Sequence, residues 1–197
     1  MIGVGLALLW GGQAAPAIAP PVQSAVQEAL PPKSPDARTQ AIRAHLERFA
    51  KQTDLTSAEL DRLAQVVANE SERHGVAPEL VLAVMHVESR FRTFAVSEKN
   101  AMGLMQIMPS TGRWLAPQLG IEWDGPHTLF DPDVNVRLGV AYLRQLTDRY
   151  HGDLEAALAA YNWGPGHIDR RLARGAPLPE EYPRLVFTAL DRTTRRS

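Results

Sequence analysis

A glutamate at the end of an apolar stripe is the first residue whose surroundings suggest chemistry. Val81, Val84 and Met85 precede Glu88 by seven, four and three residues, so the four side chains share one face of a helix. Such a face packs into a core, where burial disfavours the charged carboxylate and raises its pKa. The pattern predicts that Glu88 holds a proton near neutral pH, as a general acid must. The alternative is a carboxylate turned out to solvent.

A second segment has side chains suited to the wall of a binding groove. Residues 103–109 read GLMQIMP, and the amide of Gln106 is able to hydrogen-bond a sugar hydroxyl or acetamido group. Met105 and Met108 are flexible apolar side chains of the kind that line grooves. The alternative is ordinary core packing of the methionines beside a loop glutamine.

A third segment combines hydrogen-bonding and aromatic groups at the end of a predicted helix. Residues 160–166 read AYNWGPG, in which Tyr161 and Asn162 supply polar groups and Trp163 supplies a large ring. Aromatic faces stack on sugar rings, and amides hydrogen-bond to hydroxyl groups. The alternative is a helix stop that carries a core tyrosine.

The elements that must position these segments are predicted to be helices. Thr56 and Glu59 form a capping box, Gly75 ends that helix, and Asp131 and Asp153 are N-caps. Because no stretch alternates polar and apolar residues over the length of a strand, the fold class is predicted to be all-α. The predicted helices cover residues 36–53, 56–75, 79–89, 132–150, 153–162, 167–174 and 185–190, with short helical pieces between 100 and 125.

The N-terminal third divides by composition. Residues 1–19 begin with the apolar run IGVGLALLW and end with the small-x-small pattern AIA, which is typical of a secretory signal. A secretory signal has a Lys or Arg before its apolar run, and no such residue precedes this one. Residues 20–55 contain a proline-rich linker and an amphipathic helix that either packs on the domain or stands apart from it. Residues 56–197 are predicted to form the main domain.

Composition excludes several classes of site. The net charge is −1, so no basic domain of the kind that binds nucleic acid is expected. The absence of cysteine excludes disulfides, thiolate metal sites and a cysteine nucleophile. The six histidines show no ligand spacing on a common face, and His86 is expected to pack. We therefore expect neither a metal nor another cofactor.

Taken in order, the three segments resemble one known family. The motifs ESxF at 88–91, GLMQ at 103–106 and AYNxG at 160–164 are similar in sequence and spacing to the soluble lytic transglycosylase family, over about residues 62–190. The resemblance implies a lysozyme-like fold of the goose type, a compact bundle of short helices with a glycan cleft.

The resemblance also implies roles for individual residues. Glu88 stands at the position of the catalytic glutamate, and Ser97 matches a serine that contacts the substrate N-acetyl group or the glutamate. Gln106 matches a groove residue that binds substrate. Tyr161 matches a tyrosine whose hydroxyl orients the glutamate, and Asn162 lines the cleft beside it.

Near the C-terminus two more residues match the family pattern, and two residues elsewhere differ from it. Glu181 and Tyr182 resemble late Glu and Tyr positions that help to complete the site. Arg90 stands where glycine is common, and Trp163 stands where a small residue is usual. The tryptophan either adds a stacking face or fills core.

The implied activity is cleavage of peptidoglycan glycan strands without water. Glu88 is expected to donate a proton to the bond between N-acetylmuramic acid and N-acetylglucosamine, and then to accept one as a 1,6-anhydro ring closes. The expected location is periplasmic or exported, and the chain is expected to be a monomer. Its size and its linker suit an enzyme that opens the wall for a secretion or conjugation apparatus.

Two other functions remain open from the sequence. A lysozyme-type hydrolase on the same fold needs a second carboxylate to hold water, for which Asp124, Asp131 and Glu181 are candidates. A non-catalytic glycan-binding module of an envelope complex is the other, although such a module has no need of Glu88.

Overall fold

The computed structural model describes residues 36–49, 51, 53 and 55–194. In these ranges the chain folds into α-helices and two short 3-10 helices, Ala116–Leu119 and Pro126–Phe130, and contains no strand longer than an isolated bridge. The predicted all-α fold class is confirmed. The helices are α1 (Ala37–Glu47), α2 (Ser57–His74), α3 (Pro78–Ser89), α4 (Pro109–Leu115), α5 (Pro132–Arg149), α6 (Leu154–Trp163), α7 (Pro165–Leu172) and α8 (Glu181–Thr194).

The predicted signal-like segment, 1–19, and the proline-rich stretch, 20–35, lie outside the described residues. A helix with the length and apolarity needed to cross a membrane does not occur among the residues that are described.

Local signals set the ends of the helices before the active-site segment. The Thr56 side chain accepts from the Glu59 N–H, and the Glu59 carboxylate accepts from the Thr56 N–H, which satisfies two donors at the start of α2. Gly75 ends α2 with a left-handed φ of 62°, a conformation that glycine adopts without strain. Pro78 then occupies the first turn of α3, where its missing N–H leaves no helical bond unmade. These predicted boundaries are confirmed.

Helix α1 packs on the rest of the domain rather than standing apart from it. Ile42 and Leu46 are buried in the main hydrophobic core, and the Phe49 ring lies 4.6 Å from that of Phe91. The helix ends at Glu47, six residues before the predicted end. The described residues from 36 to 194 therefore belong to one compact unit that includes α1.

Helix α8 is longer than predicted and packs against α3. It buries Tyr182, Val186, Ala189 and Thr193, which lie on one face at spacings of four, three and four residues. The sequence prediction placed this helix at 185–190, whereas α8 begins at Glu181. Pro183 lies in the first turn of α8, where the N–H it lacks would have had no helical partner.

Helix α5 is a buried support for the GLMQ segment. Asn135 accepts a hydrogen bond from the Met105 N–H (2.7 Å) and donates to the carbonyl oxygens of Met102 (2.9 Å) and Leu129 (2.8 Å). A Cβ on Gly139 would overlap the sulfur of Met105, so glycine allows this close approach. The segment is thereby held against the helix from both its backbone and its side chains.

Candidate active site

Glu88 lies in the last turn of α3, where apolar packing surrounds it. Val81, Val84 and Met85 are fully buried on the predicted face, and Glu88 itself is half-buried. Burial raises the pKa of the Glu88 carboxyl group to about 7, and a hydrogen bond from Tyr182 partly opposes that rise. The predicted apolar stripe and the raised proton affinity are both present, so this carboxyl group is able to hold a proton at neutral pH.

A tyrosine from α8 holds the Glu88 carboxylate. The hydroxyl of Tyr182 donates to Glu88 Oε1 at 2.5 Å. Burial raises the pKa of the Tyr182 phenol well above its usual value, so the hydroxyl keeps the proton that it donates. The close packing of α3 against α8 brings these two residues together across 94 positions of the chain.

The expectation that Tyr161 orients Glu88 is wrong. Its hydroxyl donates instead to the carbonyl oxygen of Met105 at 2.8 Å. The Tyr161 ring lies nearly parallel to that of Tyr182, with centroids 6.4 Å apart, so it supports the tyrosine that contacts the glutamate. The family resemblance placed both tyrosines at the site but assigned the contact with the glutamate to Tyr161, whereas Tyr182 makes it.

The loop that leads into the GLMQ segment forms one rim of the site. The Ser97 hydroxyl accepts from the Ala101 N–H at 3.0 Å and fixes a tight turn. Gln106 has a positive φ of 48°, and its Nε2 donates to the carbonyl oxygens of Ala95 (3.0 Å) and Gly103 (2.9 Å). Both bonds use the amide nitrogen, which leaves the side-chain carbonyl oxygen of Gln106 as the group to meet a ligand.

Met105 does not line the groove, contrary to the sequence prediction. Its side chain is fully buried because the absence of a side chain on Gly139 lets it pack directly against α5. Its contribution to the site is the backbone carbonyl that accepts from Tyr161. Met108 is 39% exposed and takes the groove-lining place instead.

A cavity of about 380 Å³ unites most of the predicted residues, and we call it the catalytic cavity. Tyr182 contacts Glu88 from behind and does not line the cavity. The cavity is lined by Glu88, Ser97, Glu98, Lys99, Ala101, Gln106, Met108, Tyr161 and Asn162.

None of the carboxylates proposed as a second catalytic group lines this cavity. Asp131 caps α5, where it accepts from the N–H groups of residues 133 and 134. Asp124 is exposed and lies 3.5 Å from His127 Nε2, and Glu181 is exposed at the start of α8. Glu98, which the sequence analysis missed, is the carboxylate that shares the cavity with Glu88.

Lys99 is the other polar residue that the sequence analysis missed. Its Nζ lies 5.9 Å from the centroid of the Trp163 ring, so it stands over an aromatic residue that follows Asn162. Both Glu98 and Lys99 follow Ser97 directly, and their position beside a predicted site residue was the available signal. The part of the chain that is described contains no group of three His, Cys, Asp or Glu residues able to hold a metal ion.

The sequence of this chain is similar to those of known proteins. A family model described as the transglycosylase SLT domain matches residues 65–180. Membrane-bound lytic murein transglycosylase C of Edwardsiella ictaluri (strain 93-146) is 40% identical over 115 residues, which are 53% of this chain and 32% of the relative. The enzyme of the same name from Histophilus somni (strain 2336) is 33% identical over 144 residues, 66% of this chain and 39% of the relative. The chain thus spans about a third of the length of the curated relatives it matches.

Solved structures show the same fold. An inactive mutant of the lytic transglycosylase Slt of Pseudomonas aeruginosa superposes with a TM-score of 0.60 at 29% identity, over 67% of this chain and 24% of that one. The 70 kDa soluble lytic transglycosylase of Escherichia coli superposes with a TM-score of 0.63 at 22% identity, over 81% and 29%. The expected lysozyme-like helical fold is confirmed. Because the family model covers more than half of its length, the chain belongs to the transglycosylase SLT domain family.

Proposed function

We propose that this chain is a peptidoglycan lytic transglycosylase. It cleaves the β-1,4 bond between N-acetylmuramic acid and N-acetylglucosamine and leaves a 1,6-anhydro-muramic end. One observation carries the proposal: a carboxyl group in a groove lined by amide, hydroxyl and aromatic side chains has its pKa raised to about 7 by burial. Membership of the family and relatives named lytic murein transglycosylases support it.

In the first step Glu88 acts as a general acid. The protonated carboxyl donates to the glycosidic oxygen, and the bond between that oxygen and C1 of the muramic residue breaks. The substrate's own N-acetyl oxygen stabilises the positive charge that develops at C1, so no second carboxylate is needed. Tyr182 fixes one carboxylate oxygen and thereby keeps the other aligned with the substrate.

In the second step the same group acts as a base. The Glu88 carboxylate accepts the proton of the muramic 6-hydroxyl, whose oxygen forms the new bond to C1. The proton given in the first step is thus recovered in the second, and water is not consumed. A pKa near 7 suits a group that must both donate and accept within one cycle.

The other residues of the catalytic cavity bind and position the substrate. The free carbonyl oxygen of Gln106 accepts from a sugar hydroxyl or an acetamido N–H, and the amide of Asn162, which lines the same cavity, also hydrogen-bonds to the sugar. Ser97 lies on the rim and contacts the N-acetyl group of the reacting sugar. Tyr161 lines the cavity, and its ring stacks on that of Tyr182.

Product analysis separates this function from its two rivals. Purified cell walls digested with the protein should yield muropeptides with 1,6-anhydro ends, detected by mass spectrometry. Reducing muramic ends would assign the hydrolase instead, in which Glu98 would hold the water. Binding to the wall without release of soluble muropeptides would assign the non-catalytic module. Glu88→Gln protein is the matched control for background cleavage.

The cellular setting is also part of the proposal. The enzyme acts on glycan strands in the periplasm or outside the cell, as a monomer that needs no cofactor, and it opens the wall for a secretion or conjugation apparatus. Cell fractionation tests the location, and light scattering of the purified chain tests the monomer. Copurification with envelope complexes tests the link to a secretion or conjugation apparatus. If the protein does not copurify with such complexes, only this partner is removed from the proposal.

A further inference from the structure

Two tryptophans outside the reaction scheme are unusually exposed. Trp114 in α4 is 56% exposed, and Trp163 at the end of α6 is 51% exposed. A large apolar surface left in water commonly marks a binding site. The proton-transfer steps use neither residue.

A second cavity adjoins the catalytic cavity on the Trp163 side. It has a volume of about 370 Å³, and it shares Lys99, Gln106 and Asn162 with the catalytic cavity. Trp163 forms part of its wall. We call this the middle cavity.

A third cavity adjoins the middle cavity and has Trp114 in its wall. It has a volume of about 350 Å³ and shares Thr111, Tyr142 and Pro165 with the middle cavity. We call it the distal cavity. Because each cavity shares lining residues with the next, the three cavities form a connected series from Glu88 past Trp163 to Trp114, which we call the trough.

The two tryptophans differ in what already covers their rings. The Trp163 ring stacks on His167 with centroids 5.1 Å apart, and Lys99 lies 5.9 Å from its centroid. Trp114 has no aromatic or cationic contact within the residues the structure describes. The face of Trp114 is therefore the one that remains available for stacking.

The polar wall of the distal cavity contains uncharged groups and one cation that is already paired. Ser110, Thr111 and Gln145 contribute hydroxyl and amide groups. The one cation, Arg149, is paired with Asp169 through contacts of 2.5 and 3.4 Å. Neutral hydrogen-bonding groups beside an aromatic face suit a neutral sugar ring, whereas an anion would need an unpaired cation.

We propose that the distal cavity binds an uncharged N-acetylhexosamine unit of the glycan strand whose bond is cleaved at Glu88, with the Trp114 ring as its stacking surface. The inference rests on the proposed function for the identity of the strand, and it deepens that function. With this site the enzyme holds an extended glycan strand along the whole trough. Trp114 sets its preference for long strands over short ones.

Binding by a catalytically silent protein tests the inference. Glu88→Gln protein is titrated calorimetrically with chitobiose, chitotetraose and chitohexaose, which carry N-acetylglucosamine units without peptide. Affinity should increase with length, and the step that fills the distal cavity should add about fivefold to tenfold. Trp114→Ala in the same background should remove that step, and Trp114→Phe should retain most of it. Leu172→Ala, which removes another apolar side chain that is 47% exposed but lies away from the trough, should leave every affinity unchanged.

Two results would overturn the inference, and a third would separate it from the proposed reaction. An unchanged length dependence in the Trp114→Ala protein overturns the inference, as does an affinity of the parent protein that never increases beyond the shortest sugar. If wild-type protein produces no anhydro ends while the Trp114-dependent step is present, the proposed reaction fails and the distal sugar site stands.

Discussion

The two ends of the trough are built on opposite principles. At the inner end, Glu88 and Tyr182 come from α3 and α8, whose packing shields a carboxyl group and raises its pKa. At the outer end, Trp114 and Trp163 present their rings to solvent. Proton transfer needs a desolvated group whose proton affinity matches the pH, whereas recognition of a polymer needs accessible surface. Catalysis and strand binding should therefore be separable by substitution.

The largest expected effect belongs to the inner end. Glu88→Gln keeps the size of the side chain and removes the transferable proton, so muropeptide release should fall by about a thousandfold or more. Glu98→Gln, in the same cavity, is the matched control and should retain most of the activity. Comparable losses in the two proteins would indicate a two-carboxylate hydrolase.

The support beneath the trough comes next. Asn135 is fully buried and makes three hydrogen bonds to the backbone, so Asn135→Ala should lower the free energy of unfolding by about 3 kcal/mol. Urea denaturation measures it. Asn69→Ala removes an exposed amide with one side-chain partner and should change the free energy of unfolding little. Equal effects at both positions would show that the Asn135 network does not hold the GLMQ segment.

Tyr182→Phe should lower kcat by about tenfold to a hundredfold, because the Glu88 carboxylate loses the contact that orients it. The hydroxyl donates to the carboxylate and so lowers the Glu88 pKa. Its removal should therefore move the alkaline limb of the pH profile of kcat/KM to higher pH. A loss of activity with no movement of that limb would indicate a purely structural role for the tyrosine.

The smallest expected effect is that of Glu88 on the free energy of unfolding. The pKa of Glu88 is about 7 in the folded protein and about 4.5 when unfolded, so folding favours the protonated form. The stability this gives is complete below pH 4.5 and is lost as the pH rises through 7. At pH 8 Glu88→Gln should therefore be more stable than wild type by about 1 to 2 kcal/mol, with the difference vanishing in acid. Thermal unfolding across pH checks it, and a constant difference would mean that Glu88 titrates normally.

Local patterns in the sequence predicted the local features of the fold. The capping box at Thr56, the glycine stop at Gly75 and the apolar stripe below Glu88 depend on residues within one or two turns, so spacing alone identified them. The burial of Met105 depends instead on Gly139, which lies on another helix. No periodicity within one segment contains that information.

The candidate site shows the same limit. Ser97, Gln106, Tyr161 and Asn162 lie together as the family resemblance implied, but the contact from Tyr182 to Glu88 depends on how α8 packs on α3. The continuation of the trough to Trp114 depends in the same way on the packing of α4 against α5. These features follow from tertiary packing, which a single sequence does not specify.

A titration of the Glu88 side chain itself tests whether its pKa is raised in the folded protein. Carbon-13 NMR of the glutamate carboxyl groups, with Glu88→Gln protein to assign the signal, reports its pKa in the folded protein. We expect a midpoint near 7, set by burial. A midpoint near 4.5, the value of a glutamate in water, would contradict the claim that one shielded carboxyl group both gives and takes the proton.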